Sequence, residues 1–253
     1  LRVAQKKGYA EADPTNDVAG YDAARKLAIL ASIGFHANVT FDDVLVEGIE
    51  KISQNDVQYA SEMGYTIKLL AVAIRQENGI ALNVYPAFVP RSHPLASVKG
   101  SYNAIYVTGN IVDDVMFYGK GAGSLPTASA VMGDVISTAK HILNHSTGTG
   151  MMLTETKRIP FYSSLKLENS YYFRLIVDDV TGVLSQIASA YADNDISIKE
   201  VVQKSRIEDA AELMIITEKT PRENIIHVEK ALQVLPCMRQ VANVVRVMED
   251  DRK

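Results

Sequence analysis

YYFRLIVDDVTGVLSQIASAYADNDISIKEV, residues 171–201, reads as strand, helix and strand in immediate succession, and that succession decides the architecture of the last third of the chain. The aromatic and β-branched run YYFRLIVDD suits a half-buried extended strand. TGVLSQIASAYADN follows as a helix, and SIKEVVQKSR returns to strand character. Downstream, AAELMIITEK reads as a strand, RENIIHVEKALQVL as a helix and NVVRVME as a final strand, with Asp195 and Pro236 near the two helix ends. The resulting β-α-β-β-α-β order is that of a split βαβ, ferredoxin-like sandwich, and about 80 residues suffice for a compact domain of this kind.

Upstream, NHSTGTG (144–150) is rich in turn formers, and TETKRIPFYSSLKLENS (154–170) is an irregular approach, which places a domain boundary near residue 165. The expected division is 1–164 and 165–253. In the first part, helices are expected over Tyr21 to Phe35, with Ala24, Leu27, Ala28 and Leu30 at helical spacing, over Phe41 to Ile52, and over Asp56 to Met63, closing at Gly64. YTIKLLAVAIRQ (65–76) and GIALNVYPAFVP (79–90) form a hairpin turning at Asn78-Gly79, because that pair tolerates positive φ. NAIYVTGN and VDDVMFYG repeat the pattern near Gly109 and Asn110, giving about four strands of a largely antiparallel sheet. A helix over Thr127 to Leu143 stands behind Pro126. The fold class is therefore α+β, with helices layered on a mixed, largely antiparallel sheet.

Composition bounds the function. With 253 residues, 47% hydrophobic and 22% charged, the chain can bury a sizeable core in two domains. A formal net charge of -4 and the lack of a basic, aromatic-interleaved stripe give no footprint for nucleic acid. Cys237 is the only cysteine, so no intrachain disulfide or cysteine-rich metal site can form, as suits a reducing compartment. No apolar run approaches the roughly 20 residues that span a bilayer, and residues 1–14 hold no signal-peptide core, so a cytoplasmic protein with no membrane partner is expected. Leu1, Val3 and Ala4 read as the tail of a helix stopped by Gly8, so the chain is expected to begin mid-domain.

Charge is concentrated in GYAEADPTNDVAGYDAARK, residues 8–26, which leads Glu11, Asp13, Asp17, Asp22, Arg25 and Lys26 into an otherwise apolar helix. Asp22 and Lys26 stand at i and i+4 and share one helix face. Two accounts fit the residues alone. Asp13 before Pro14 can start a turn, Asp22 can favour the helix N-terminus, and Lys26 can be its solvated partner. Clustered carboxylates beside an ammonium can instead recognise an amino acid and supply a proton donor.

The long run GYAEADPTNDVAGYDAARKL resembles the signature of the homoserine dehydrogenase family, in which a glutamate and two aspartates face a lysine. That resemblance implies that Glu11 holds the substrate α-ammonium, with the backbone around Tyr9 helping to position it. It implies that Lys26 donates a proton to the aldehyde oxygen, and that Asp17 and Asp22 orient substrate and lysine. FYGKGAGSLPTASAVMGD (117–134) resembles the family segment that returns to the nucleotide domain, which makes Gly123, Gly121 and Ala122 the expected contacts to NAD(P)H. GKGAGS alone is no dinucleotide fingerprint, since Ser124 stands where a third glycine belongs and no βαβ unit opens there. By the same resemblance, the nucleotide-binding domain, a second catalytic lysine and a sodium loop lie upstream of Leu1. No metal site is therefore expected here, and this portion alone should not turn over.

Residues 171–201 resemble the opening of an ACT domain, a module that binds amino acids between paired copies. The resemblance implies effector contacts at Asp179, Gly182, Val183, Leu184 and Asn194, with Thr181 standing where proline is usual. It also implies threonine as effector and a homodimer or higher homo-oligomer. Exposed sheet edges favour such pairing. His36 and His93 are possible acid-base groups, while Lys68 and the eight methionines have ordinary packing explanations. The leading expectation is NAD(P)H-dependent reduction of L-aspartate 4-semialdehyde to L-homoserine, towards threonine, methionine and isoleucine. The alternative is a noncatalytic amino-acid-sensing fragment.

Overall fold

The computed structural model describes residues 13–146, 159–207 and 209–249; the expected helix tail at 1–8 and most of the 144–158 linker lie outside them. After a four-residue helix α1 (Thr15–Val18), helix α2 (Tyr21–Phe35) buries Ala24, Leu27, Ala28 and Ala31. That stripe has the i, i+3, i+4, i+7 spacing of one helix face, and it packs on Ile80, Leu82 and Val84. Leu30, one residue short of the stripe, faces solvent, and Ala31 takes its expected place.

No helix forms over Phe41 to Ile52. Thr40 donates its N–H and hydroxyl to Asp43 Oδ2 at 2.8 and 2.7 Å, closing a single 3₁₀ turn, Phe41–Asp43. Strand β1 (Leu45–Val46) then pairs in parallel with Asn83 and Val84. An available strand edge overrides the weak helical pattern of β-branched Val44 and Val46. Helix α3 (Gln54–Glu62) is capped by Ser53 and ends at Gly64, close to expectation.

Strands β2 (Tyr65–Gln76) and β3 (Gly79–Pro90) form the expected hairpin, in register from Gln76↔Gly79 to Tyr65↔Pro90. The turn lies on Glu77 and Asn78, one residue earlier than expected. Gly79 serves a different purpose: a Cβ there would lie 2.3 Å from the Pro160 carbonyl oxygen. The second hairpin, β4 (Tyr102–Gly109) and β5 (Asp113–Lys120), is a separate two-stranded sheet rather than a continuation of the first. The far edge of β3 is taken instead by β1 and by the last strand, β10 (Met238–Val247), through Arg246↔Ala87 and Val247↔Phe88. Helix α4 (Ser124–Leu143) begins three residues before Thr127, with Pro126 in its first turn, and buries none of its residues.

The C-terminal part has the expected order: β6 (Glu168–Asp178), α5 (Val183–Ala192), β7 (Ile198–Ile207), β8 (Ala210–Thr217), a two-residue strand β9 (Thr220–Pro221), α6 (Arg222–Gln233) and β10. Strands lie β10-β6-β8-β7, all antiparallel. Because side chains alternate faces, Phe173, Leu175, Leu213 and Ile215 pack under α5 and α6, whereas Tyr172, Met214 and Ile216 pack under α3. Through the β3–β10 pairing, one mixed sheet runs across both parts of the chain.

Helix α3 is tied to that sheet by a buried polar cluster. Arg174 Nε donates to Asp56 Oδ1 at 2.7 Å, Nη1 to Glu212 Oε1 at 3.0 Å and Nη2 to Ser53 Oγ at 3.2 Å. Asn243 Nδ2 donates to Asp56 Oδ2 at 2.9 Å, and the Tyr59 hydroxyl donates to Glu212. Burial opposes ionisation of Asp56, but the hydrogen bonds from Arg174, Ser53 and Asn243 outweigh it and hold the carboxyl below its ordinary value. Among the described residues, no helix is long and apolar enough to cross a membrane.

Candidate functional site

The carboxylate-rich segment is built by two turns set end to end. Asp13 Oδ1 accepts from Thr15 N–H at 3.0 Å and from Thr15 Oγ1 at 2.5 Å, which starts α1 and lowers the Asp13 carboxyl from its ordinary value. Gly20 then reverses the chain at φ +82 and caps α2. Only glycine fits there, since a Cβ would lie 3.0 Å from Val84 Cγ1 besides adopting the left-handed region. Arg25 Nη1 donates to Asn16 Oδ1 at 3.0 Å, and its guanidinium lies 5.3 Å from the Phe41 ring centroid, so α1 is pinned to the first turn of α2.

This arrangement places Asp22 and Lys26 side by side at the open end of α2, Oδ2 to Nζ 2.6 Å, with side chains 46% and 58% exposed. Both groups are therefore reachable by a solute. Asp17 is exposed, and its backbone carbonyl accepts from Gly20 N–H at 3.3 Å, so it belongs to the same loop. Tyr9 and Glu11 lie outside the described residues.

The glycine-rich loop is a second element. Gly121 N–H donates to Ser101 O at 3.1 Å, and a Cβ on Gly121 would lie 1.8 Å from Asn103 Nδ2, so the loop is drawn tightly against β4. Gly123, at φ +124, caps the 20-residue α4, and half-buried Ala122 lies between the two glycines. Backbone N–H groups of the first helical turn have no intrahelical partner and suit a polar ligand. No hydrogen bond or ion pair among the described residues joins this loop to the 13–26 segment.

In the C-terminal part, Gly182 (φ +90) caps α5, Asp179 N–H donates to Asp209 O at 3.1 Å, Val183 is buried and Leu184 exposed. Asn194 stands beyond the other end of α5, about 18 Å along the helix axis from Gly182, and its amide donates to Ala190 O at 2.8 Å. A single copy therefore does not bring Asn194 to the Gly182 turn. His93 is buried, its ring tilted against that of Tyr106 with centroids 4.7 Å apart, and its Nδ1 accepts from Leu95 N–H at 3.2 Å. Lys68 donates to Val98 O, and burial, with a contribution from nearby Lys99, lowers its ammonium pKa. Among the described residues, no group of three or more His, Cys, Asp and Glu is placed to hold a metal ion. Sequence reasoning passed over Gly20, whose position directly before an apolar helix was the available signal, and Arg174, whose partners are remote in sequence.

Residues 1–136 match the homoserine dehydrogenase family. The chain belongs to that family. The matched segment takes in α2 with Asp22 and Lys26, both hairpins and the glycine loop. Homoserine dehydrogenase of Corynebacterium glutamicum is 40% identical over 255 residues, covering 99% of this chain and 57% of the relative. That of Bacillus subtilis is 36% identical over 249 residues, covering 98% and 57%. The chain therefore spans less than three-fifths of the length of these homoserine dehydrogenases. The crystal structure of a homoserine dehydrogenase from Thiobacillus denitrificans superposes with a TM-score of 0.90 at 36% identity, over 98% of this chain and 57% of that one. Agreement at that level extends beyond the family segment to the C-terminal sheet, so both parts of the chain share this arrangement with the homologue.

Proposed function

We propose that this chain is the substrate half of an NAD(P)H-dependent homoserine dehydrogenase that reduces L-aspartate 4-semialdehyde to L-homoserine in the cytoplasm. The observation that carries the reading is the exposed Asp22–Lys26 pair at 2.6 Å, set on a rigid helix within the family signature. When bound, NAD(P)H supplies the hydride. Lys26 Nζ donates a proton to the aldehyde oxygen as that oxygen gains negative charge, and accepts one in the reverse direction. Asp22 fixes the direction of Nζ, and Asp17, with Glu11 and Tyr9, holds the amino-acid end of the substrate, so the reacting carbon is presented in one orientation. Gly121, Ala122 and Gly123 fit the edge of a nicotinamide nucleotide, because they lead into the N-terminus of α4, where first-turn N–H groups have no intrahelical partner.

Residues 165–253 serve as an ACT regulatory domain in the same reading, and 1–164 as the catalytic and dimerisation region. The β-α-β-β-α-β order and the left-handed Gly182 at the start of α5 support it. Threonine binds through Asp179, Gly182, Val183, Leu184 and Asn194, the last contributed across a homodimer, and acts as feedback inhibitor. This chain without an upstream nucleotide-binding domain is inactive.

The test is homoserine-dependent NAD(P)⁺ reduction by the full-length protein. Lys26→Ala is expected to lower kcat by roughly 10²-fold, the scale of general acid catalysis. Near-normal turnover would remove Lys26 from that role. Absence of turnover in the unaltered protein, with threonine binding intact, would favour a noncatalytic sensor. Threonine that neither binds nor inhibits would reject the regulatory part.

A further inference from the structure

Between Asp17 and Asp22 the chain turns through Val18, Ala19 and Gly20, and this turn is seated on residues 47–49. Ile49 N–H donates to Val18 O at 2.9 Å. A Cβ on Gly48 would lie 2.4 Å from Val18 O and 2.7 Å from Ala19 Cα, and closer still to Glu50 Oε2, so the two backbones approach too closely for any side chain at position 48. Gly48 is not among the residues with positive φ, so close approach rather than backbone conformation demands glycine.

The seat is in turn held from the far end of the chain. Glu47 N–H donates to Val84 O at 2.8 Å, and its carboxylate accepts from Arg246 Nη1 at 2.8 Å. Arg246 is buried where β10 pairs with β3, its guanidinium 4.2 Å from the Tyr85 ring centroid and 5.9 Å from that of Tyr171. A planar guanidinium fixed by two aromatic rings and a charged hydrogen bond has little freedom to move.

We propose that Gly48, and Arg246 acting through Glu47, are positioning residues that set the geometry of the Asp17–Asp22 turn. The last strand of the C-terminal unit thereby holds the substrate loop in place. The inference rests on the reading of residues 9–26 as the substrate site.

The experiment uses the full-length protein with Gly48→Ala, Arg246→Met, Arg246→Lys and the double variant Glu47→Gln/Arg246→Met. An ångström of displacement at a substrate loop costs up to about 10²-fold in rate, so Gly48→Ala is expected to lower kcat/KM for homoserine by at least about tenfold, leaving the KM for nucleotide within about twofold. Arg246→Met is expected to raise the KM for homoserine, Arg246→Lys, which keeps the charge but not the planar stack, to recover part of it, and the double variant to be no worse than Arg246→Met. Amide exchange of residues 18–20 and Ile49 is expected to quicken in Arg246→Met. Unchanged homoserine kinetics in Gly48→Ala and in Arg246→Met overturns the proposal, as does a loss of Tm with equal effects on both substrates. Should the unaltered protein fail to oxidise homoserine, the substrate reading falls. Exchange then decides the positioning role: faster exchange supports it and unchanged exchange overturns it.

Discussion

Arg174→Met is the sharpest perturbation available to the fold, because it removes a cation shared by Asp56 and Glu212, which are 0% and 5% exposed. Three donated hydrogen bonds disappear with the guanidinium, and two carboxylates are left buried without it. Removing one partner of a buried ion pair costs about 3–5 kcal/mol. For a chain of this size each kcal/mol corresponds to about 2–4 °C, so a fall in Tm of roughly 10 °C is expected. The triple variant Arg174→Met/Asp56→Asn/Glu212→Gln carries no uncompensated charge and should recover most of the loss. The assay is thermal and urea unfolding followed by circular dichroism. The pH dependence provides an independent arm. In the parent protein the Asp56 pKa is below its ordinary 3.8, so its stabilisation is present above 3.8 and lost as pH falls through the lower folded-state value. Without Arg174, burial becomes the stronger influence, and acidification relieves the buried charge. The gap between parent and Arg174→Met should therefore narrow as pH is lowered. An Arg174→Met protein within about 1 kcal/mol of the parent, or a triple variant no more stable than the single one, would refute the assignment of this cluster as a charge-compensated lock.

Gly20→Ala combines left-handed backbone with a methyl 3.0 Å from Val84 Cγ1 and should cost about 2 kcal/mol in urea unfolding. Gly34→Ala, in the same helix with nothing within 4 Å of the added carbon, should stabilise by up to about 1 kcal/mol and serves as the contrast. Gly79→Ala must push back the Pro160 carbonyl and should destabilise the 159–162 segment against β3, measurable as faster amide exchange at Ile80 and Tyr162, whose N–H groups donate to Pro160 O and Ile80 O respectively. Burial, then the neighbouring Glu212, pushes the Tyr59 hydroxyl up to about 12, and burial raises Tyr65, Tyr85, Tyr172 and Tyr191. Tyrosines protonated in the fold beyond their unfolded value of 10.0 stabilise it below that pH, and this contribution is lost as pH rises above it. Ultraviolet titration should therefore show a subset ionising only with alkaline unfolding, and complete ionisation in the folded state near pH 10 would contradict it.

Helix α2 was legible to its last residue, because Ala24, Leu27 and Ala28 repeat at the helical period and Gly34 marks its last turn. The β-α-β-β-α-β order was legible for the same reason, each segment being long enough for its own period to dominate. Residues 41–52 were not, since a short mixture of acidic and β-branched residues takes whatever structure its neighbours offer, here the edge of β3. The separation of the two hairpins was equally invisible. β-Propensity marks a strand but not its partner, and the β3 edge went to β10, more than 150 residues further on. At the candidate site, the Asp22–Lys26 pair could be placed from spacing alone, whereas the seat beneath the 18–20 turn could not.

What residues 1–253 determined by themselves was local and chemical: the periods of the helices and strands, the glycines that break them, and a run of carboxylates leading to Lys26 that carries a family signature. Tertiary structure alone decided which of these elements share a sheet and which charges meet. Arg174 and Asp56 are 118 residues apart and Arg246 and Glu47 are 199 apart, and a lone arginine on a strand gives no sign of its partner. Burial creates the need for such a partner, since an ion removed from water must find its counter-charge inside the fold. Which counter-charge it finds is settled only when the strands pack.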